Sequence, residues 1–150
     1  MSEGRPRLNT EMVRLGGLIK QAEQALITAK TIALKQFDLT VPQYAALFVL
    51  GTTPEASAAQ LARACLVTPQ TMATVITNLE AKGLVDRSTS PMHRRLRETR
   101  LTDTAIPVLE GADRAAVQIE EALAVEFSPE ELRSLQELLN RTITALHQLG

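Results

Sequence analysis

Gln70, Thr71, Thr74 and Asn78 recur at helical spacing in a stretch whose other side carries Met72, Val75, Ile76 and Leu79. Steps of three and four residues place each set on its own side of a helix. A row of uncharged amides and hydroxyls has no acid or base to run proton chemistry. It does suit the flat polar edges of base pairs: glutamine can make two hydrogen bonds to adenine, and a threonine methyl can meet the thymine methyl. Further along, Arg94, Arg95 and Arg97 supply donors for backbone phosphate or for a narrow minor groove. Ser57 and Thr68 each precede a helical run, where a hydroxyl and free backbone N–H groups can meet an anion. The chemistry these nine residues share is recognition of double-stranded DNA. The alternative is a solvated helix face beside a solvated arginine loop, and no one residue type decides between them.

The elements that would hold these groups follow from local signals. Thr68 suits an N-cap and Pro69 the first helical position, where its missing N–H costs nothing. Gly83, after Lys82, ends that helix. Ser57 and Gln60 have capping-box spacing and open a short helix ending near Cys65. Two short helices joined by a tight turn make a helix-turn-helix, the second helix offering its polar face to the major groove. Residues 84–88 and 96–101 read as two short strands around a Ser/Thr/Pro segment and His93, a hairpin long enough to protrude as a wing.

Longer helices flank this centre. Over residues 10–37 a stripe runs through Leu15, Leu18, Ile19, Ala22, Leu26, Ala29, Ala33 and Phe37. Thr40 and Gln43 form a second capping box, and Gly51 reads as the stop of the helix they open. Thr102 or Asp103 can cap a helix carrying Leu109, Ala112, Ala116, Ile119 and Leu123, with Pro107 expected to bend or delay its start. Ser128 and Glu131 cap a final helix whose Leu132, Leu135, Leu138, Leu139, Ile143, Leu146 and Leu149 are expected to be buried. These first and last stripes are too extended for one small subunit to cover, so a second copy of the chain is expected against them.

The 150 residues suit one domain, mainly α, with 45% hydrophobic and only 3% aromatic side chains. The expected organisation is a winged helix-turn-helix lobe at about 38–105, with residues of about 8–37 and 106–150 as dimerisation helices. Net charge is −1, yet residues 56–105 carry +3 and residues 106–150 carry −5, so positive charge gathers at the centre. No apolar run is long enough for a membrane and no secretory leader is visible, so the expected location is the cytoplasm. Cys65 is the only cysteine, read as a small buried hydrophobe, with a redox-sensing thiol as the rarer alternative. Two histidines and one cysteine are too scattered for a metal site, and no cofactor motif is present. With no nucleophile–base pair or glycine-rich phosphate loop either, the sequence does not read as an enzyme.

Several runs occur together in a characteristic order: Leu39, Thr40, Val41, Pro42, Gln43, Tyr44; then Ser57, Ala58, Ala59, Gln60, Leu61, Ala62; then Leu79 to Arg87, reading LEAKGLVDR. Arg94 and Arg95, Leu101 and Thr102, and the closing Ser128, Pro129, Glu130, Glu131 and Leu132 follow. In this order and spacing the chain resembles the MarR (multiple antibiotic resistance regulator) family of winged-helix repressors over nearly its whole length. The resemblance implies a homodimer with interleaved terminal helices, an inverted-repeat operator, and a lipophilic, often phenolic, effector between the dimer helices and the DNA-binding lobe. It departs from the family at His93, where an aspartate is usual, and at Ala105, where a glycine is usual. The functional expectation is a sequence-specific transcription regulator, a repressor relieved by a small ligand. The alternative is a winged-helix module used only for protein–protein contact.

Overall fold

The computed structural model describes residues 4–89 and 97–150. Wing residues His93, Arg94 and Arg95 therefore lie outside the described residues.

The first helix, α1, is Leu15–Leu34, followed by a 3-10 turn at Lys35–Phe37. It starts five residues later than the stripe predicts. The side chain of Asn9 accepts from Met12 N–H at 3.2 Å and its carbonyl accepts from Arg14, a local turn that competes with helix. Asp38 closes the 3-10 turn in the left-handed region at φ 54°. Helix α2, Val41–Thr52, begins at the expected capping box: Thr40 Oγ1 accepts from Gln43 N–H, and Gln43 Oε1 accepts from Thr40 N–H. It passes through Gly51 rather than stopping there. A Cβ at Gly51 would meet Leu109 Cδ2 at 2.8 Å, so glycine here serves a close approach to a later helix.

Strand β1, Ala56–Ser57, leads into α3, Ala58–Ala64, capped by Ser57, and then α4, Pro69–Ala81, capped by Thr68. Gly83 at φ 73° completes a Schellman end: its N–H reaches Glu80 O, and Leu84 N–H reaches Leu79 O at 3.0 Å. Strands β2, Val85–Thr89, and β3, Arg97–Leu101, pair antiparallel with Val85 opposite Leu101 and Thr89 opposite Arg97. Sequence reading expected two strands; the sheet has three, in the order β1-β3-β2, because Ala56 and Ser57 pair with Thr99 and Glu98.

Helix α5 is Ala105–Ala124. Pro107 is its third residue, where an N–H would have no intrahelical acceptor, so it neither delays nor breaks the helix. Nor do Thr102 and Asp103 cap it with side chains. Their carbonyls accept from Ala105 and Ile106, while the Thr102 hydroxyl donates to Gly83 O at 2.7 Å. Helix α6, Pro129–Leu149, starts at the Ser128–Glu131 capping box.

The core is the middle lobe: Leu34, Leu47, Leu61, Met72, Ile76, Leu79 and Val85 are fully buried, with Ala105 and Ala112 of α5 against them. The terminal helices differ. None of α6 is buried within the subunit; Leu132 and Leu135 are half-covered, and Leu138, Leu139, Ile143, Leu146 and Leu149 are exposed. Leu15, Leu18 and Ile19 of α1 and Leu123 of α5 are exposed as well. The α6 stripe is not buried within one chain, as its length led the sequence reading to expect of a single subunit.

Candidate nucleic-acid interface

Two faces of α4 decide what it can do. Met72, Val75, Ile76 and Leu79 lock one face into the core, which fixes the helix in rotation. Gln70, Thr71, Thr74 and Asn78 are all exposed on the other. The Thr74 hydroxyl donates to Gln70 O at 3.3 Å, and neighbouring Thr77 donates to Ala73 O at 2.9 Å. With their protons turned back onto the helix, these threonines present methyl groups and acceptor lone pairs outward. Gln70 and Asn78 keep amides that donate and accept.

At the N-terminus of α4, Thr68 Oγ1 accepts from Thr71 N–H at 3.1 Å, and the Thr68 hydroxyl donates to Thr71 Oγ1 at 3.0 Å. Thr68 is thus spent on the cap; Pro69 has no N–H and Thr71 gives its own to Thr68, so the Gln70 N–H is the first-turn donor left without an acceptor in the helix. Ser57 is half-buried, and its own N–H donates to Gln60 Oε1 at 2.8 Å, so only its hydroxyl proton is available to an anion. Arg97 is exposed at the start of β3. The structure therefore brings Gln70, Thr71, Thr74 and Asn78 onto one surface, with Thr68 at its end and Arg97 where the wing begins.

Some neighbours were not singled out by sequence. Arg100 is exposed on β3 and donates to Ser88 Oγ at 2.9 Å, a second basic group on the same hairpin. Lys82 and Gln43 meet at the far end of α4, Nζ to Oε1 at 3.2 Å. Only the pairing of two distant runs reveals that contact. Cys65 is half-buried in a groove of about 320 Å³ that also touches Lys30, Tyr44 and Phe48. Burial pushes its thiol pKa up, the opposite of what a reactive thiolate needs.

A helix-turn-helix whose second helix shows a polar face, followed by an antiparallel hairpin, defines a winged-helix DNA-binding protein. The MarR family model matches residues 37–96, from the end of the 3-10 turn up to β3. A helix-turn-helix-type transcriptional repressor of Mycobacterium tuberculosis is 28% identical over 127 residues, 85% of this chain and 91% of that protein. The structure of Bordetella bronchiseptica BpsR, described as regulated in its DNA binding by 6-hydroxynicotinic acid, superposes with a TM-score of 0.80 at 25% identity. It covers 92% of this chain and 97% of that one. A variant of Escherichia coli MarR, solved with operator DNA, shares the fold with a TM-score of 0.82 at 22% identity, over 91% of this chain and 99% of its own. The chain is thus similar to MarR-family DNA-binding transcription regulators, in sequence over residues 37–96 and in fold over nearly its whole length.

Proposed function

We propose that this protein is a homodimeric repressor that binds an inverted-repeat operator in the cytoplasm and is released by a small aromatic ligand. It acts by binding and not by catalysis. The observation that carries the reading is the division of α4, with one side fully buried and the other exposed, polar and uncharged. Residues 38–105 form the DNA-binding lobe, with 8–37 and 106–150 as the dimerisation region. In the major groove, Gln70, Thr71, Thr74 and Asn78 read base edges. Ser57, Arg97 and the N-terminal end of α4 that Thr68 caps meet phosphates, and Arg94 and Arg95 enter or flank the minor groove. Dimerisation is supported by the exposed Leu15 and Leu18 of α1 and Leu138, Leu139, Leu146 and Leu149 of α6, and by an apolar cavity of about 550 Å³ that Leu139 lines with Ala22, Leu26, Ile119 and Phe127. For the ligand, the groove between Lys30, Tyr44, Phe48 and Cys65 joins the dimerisation helix to the lobe and offers aromatic walls with one cation. The Bordetella relative's regulation by 6-hydroxynicotinic acid points to the same ligand class.

A gel-shift assay with the promoter beside its own gene tests this. Selective binding that weakens with salt supports it; binding only to a protein partner, or equal binding to any DNA, overturns it.

A further inference from the structure

The two runs LTVPQY and LEAKGLVDR come together at a single side chain. Lys82, the C-cap of α4, donates to Gln43 Oε1 at 3.2 Å and to the Asp38 carbonyl, and it lies 3.5 Å from the Asp38 carboxylate. Gln43 is buried, and the same Oε1 also closes the cap of α2 by accepting from Thr40 N–H at 3.1 Å. Asp38 is the left-handed corner between α1 and α2, a backbone form that holds its carbonyl toward Lys82.

What lies around this clasp gives it meaning. Helix α4 packs chiefly on α2, α3 and β2. Between its end and α1 is a cavity of about 460 Å³, bounded by Ile27 and Thr31 of α1, Leu39, Val41 and Lys82. No close-packed layer of side chains fills that gap among the described residues. An interior filled at normal density resists tilting, whereas an open gap does not. Lys82 lines it and binds the Asp38 corner at its edge.

We propose that Lys82 is a positioning residue: by clasping the α1–α2 corner it sets the tilt of α4 relative to the dimerisation helix, and so the half-site separation the dimer accepts. This rests on the homodimer and inverted-repeat reading above. The Asp38 carboxylate, 94% exposed, contributes little of the hold. The hold comes from the two oxygen acceptors, one of them on a buried side chain.

Each added base pair shifts a half-site by about 3.4 Å along the helix and turns it by about 35° around the helix. A dimer with fixed α4 tilt must therefore discriminate sharply among spacings. The test measures affinity of the full-length protein for a series of selected operators with identical half-sites and separations altered by one or two base pairs. It compares the natural protein with Lys82→Met, which keeps the unbranched stem, and with Lys82→Arg, which keeps charge and donors. The natural protein prefers one spacing. Lys82→Met loses about fivefold or more of that discrimination, the scale of ordinary coupling effects. Its penalty for a wrong base within a half-site stays unchanged, and Lys82→Arg restores the preference. A purely structural role would lower affinity for every spacing in parallel with thermal stability, and that result overturns the proposal. So does a Lys82→Met profile identical to the natural one. Absence of any spacing preference in the natural protein would instead overturn the inverted-repeat reading on which the proposal stands.

Discussion

The Tyr44 hydroxyl donates to Asp113 Oδ1 at 2.8 Å, joining α2 to α5 across 69 positions of sequence. Burial, and next the bond to Asp113, push the tyrosine pKa well above its ordinary value, so the phenol stays a donor throughout the working range. The bond ties α2 to α5 beside the proposed ligand groove, so it would join the proposed DNA-binding lobe to a proposed dimerisation helix. Tyr44→Phe removes the donor and leaves a half-buried carboxylate without it. The expected loss is about 1.5–3 kcal/mol in urea unfolding, the usual range for a hydrogen bond to a charged group. A loss below the error of the measurement would mean that water replaces the hydroxyl without cost.

Leu66 sits in the turn between α3 and α4 with φ 57° and is 92% exposed. A branched aliphatic residue in the left-handed region carries backbone strain, and here it has almost no burial to offset it. Leu66→Gly should raise stability by about 0.5–1 kcal/mol, the relief of strain being partly offset by the freer unfolded chain. The midpoint of thermal unfolding reads this directly. A fall in stability would show that the leucine is seated against something in the assembled protein.

Glu98 of β3 has its pKa raised, first by sharing a hydrogen bond with the Glu55 carboxyl and then by partial desolvation. An acid that holds its proton more tightly folded than unfolded stabilises the fold as pH falls. The gain begins as pH drops through the raised folded value and is complete below the ordinary carboxylate value. Glu131 works in the opposite sense: bonds from the Ser128 backbone and hydroxyl lower its pKa, so its contribution is lost as pH falls through that lowered value. Glu98→Gln should remove the first effect alone. The difference in stability between natural protein and variant should then drift in favour of the natural protein from pH 7 toward pH 4. A constant difference would show the two carboxyls ionise independently.

Ile143 of α6 is 52% exposed within one subunit. In the proposed dimer Ile143→Glu buries an unpaired charge, which costs roughly 3 kcal/mol or more and weakens self-association by over about a hundredfold. Light scattering at micromolar concentration should show the variant as a monomer and the natural protein as a dimer. A natural protein with monomeric mass would remove the basis for paired half-sites.

What the sequence revealed, and what it hid, follows from the range of the interactions. The capping pairs Thr40–Gln43, Ser57–Gln60 and Ser128–Glu131 all form, because each is complete within four residues. Thr68, Pro69 and Gly83 bound α4 for the same local reason. The polar and apolar faces of α4 were legible from spacing alone. Gly51 was misread because its neighbour Leu109 is remote in sequence, and nothing local separates a stopping glycine from a close-packed one. Strand β1 escaped because two residues carry no alternation, and only Thr99 and Glu98 across the sheet make them a strand. Lys82–Gln43 and Tyr44–Asp113 were invisible for the same reason. The α6 stripe was legible as an apolar face too long for one small subunit to cover, and within one subunit its leucines are indeed not buried.

The central claim is that two α4 faces read DNA together, and selection of bound fragments from a random DNA pool tests it most directly. The expected result is enrichment of one inverted repeat with half-site centres about one helical turn apart, roughly 10 bp. In that site Gln70→Ala should relax selectivity at one base position per half-site, by about 1–3 kcal/mol. Arg97→Ala should lower affinity for all sequences and flatten the salt dependence by about one counterion. Enrichment of no sequence, or of a single asymmetric half-site bound by one chain, would contradict it.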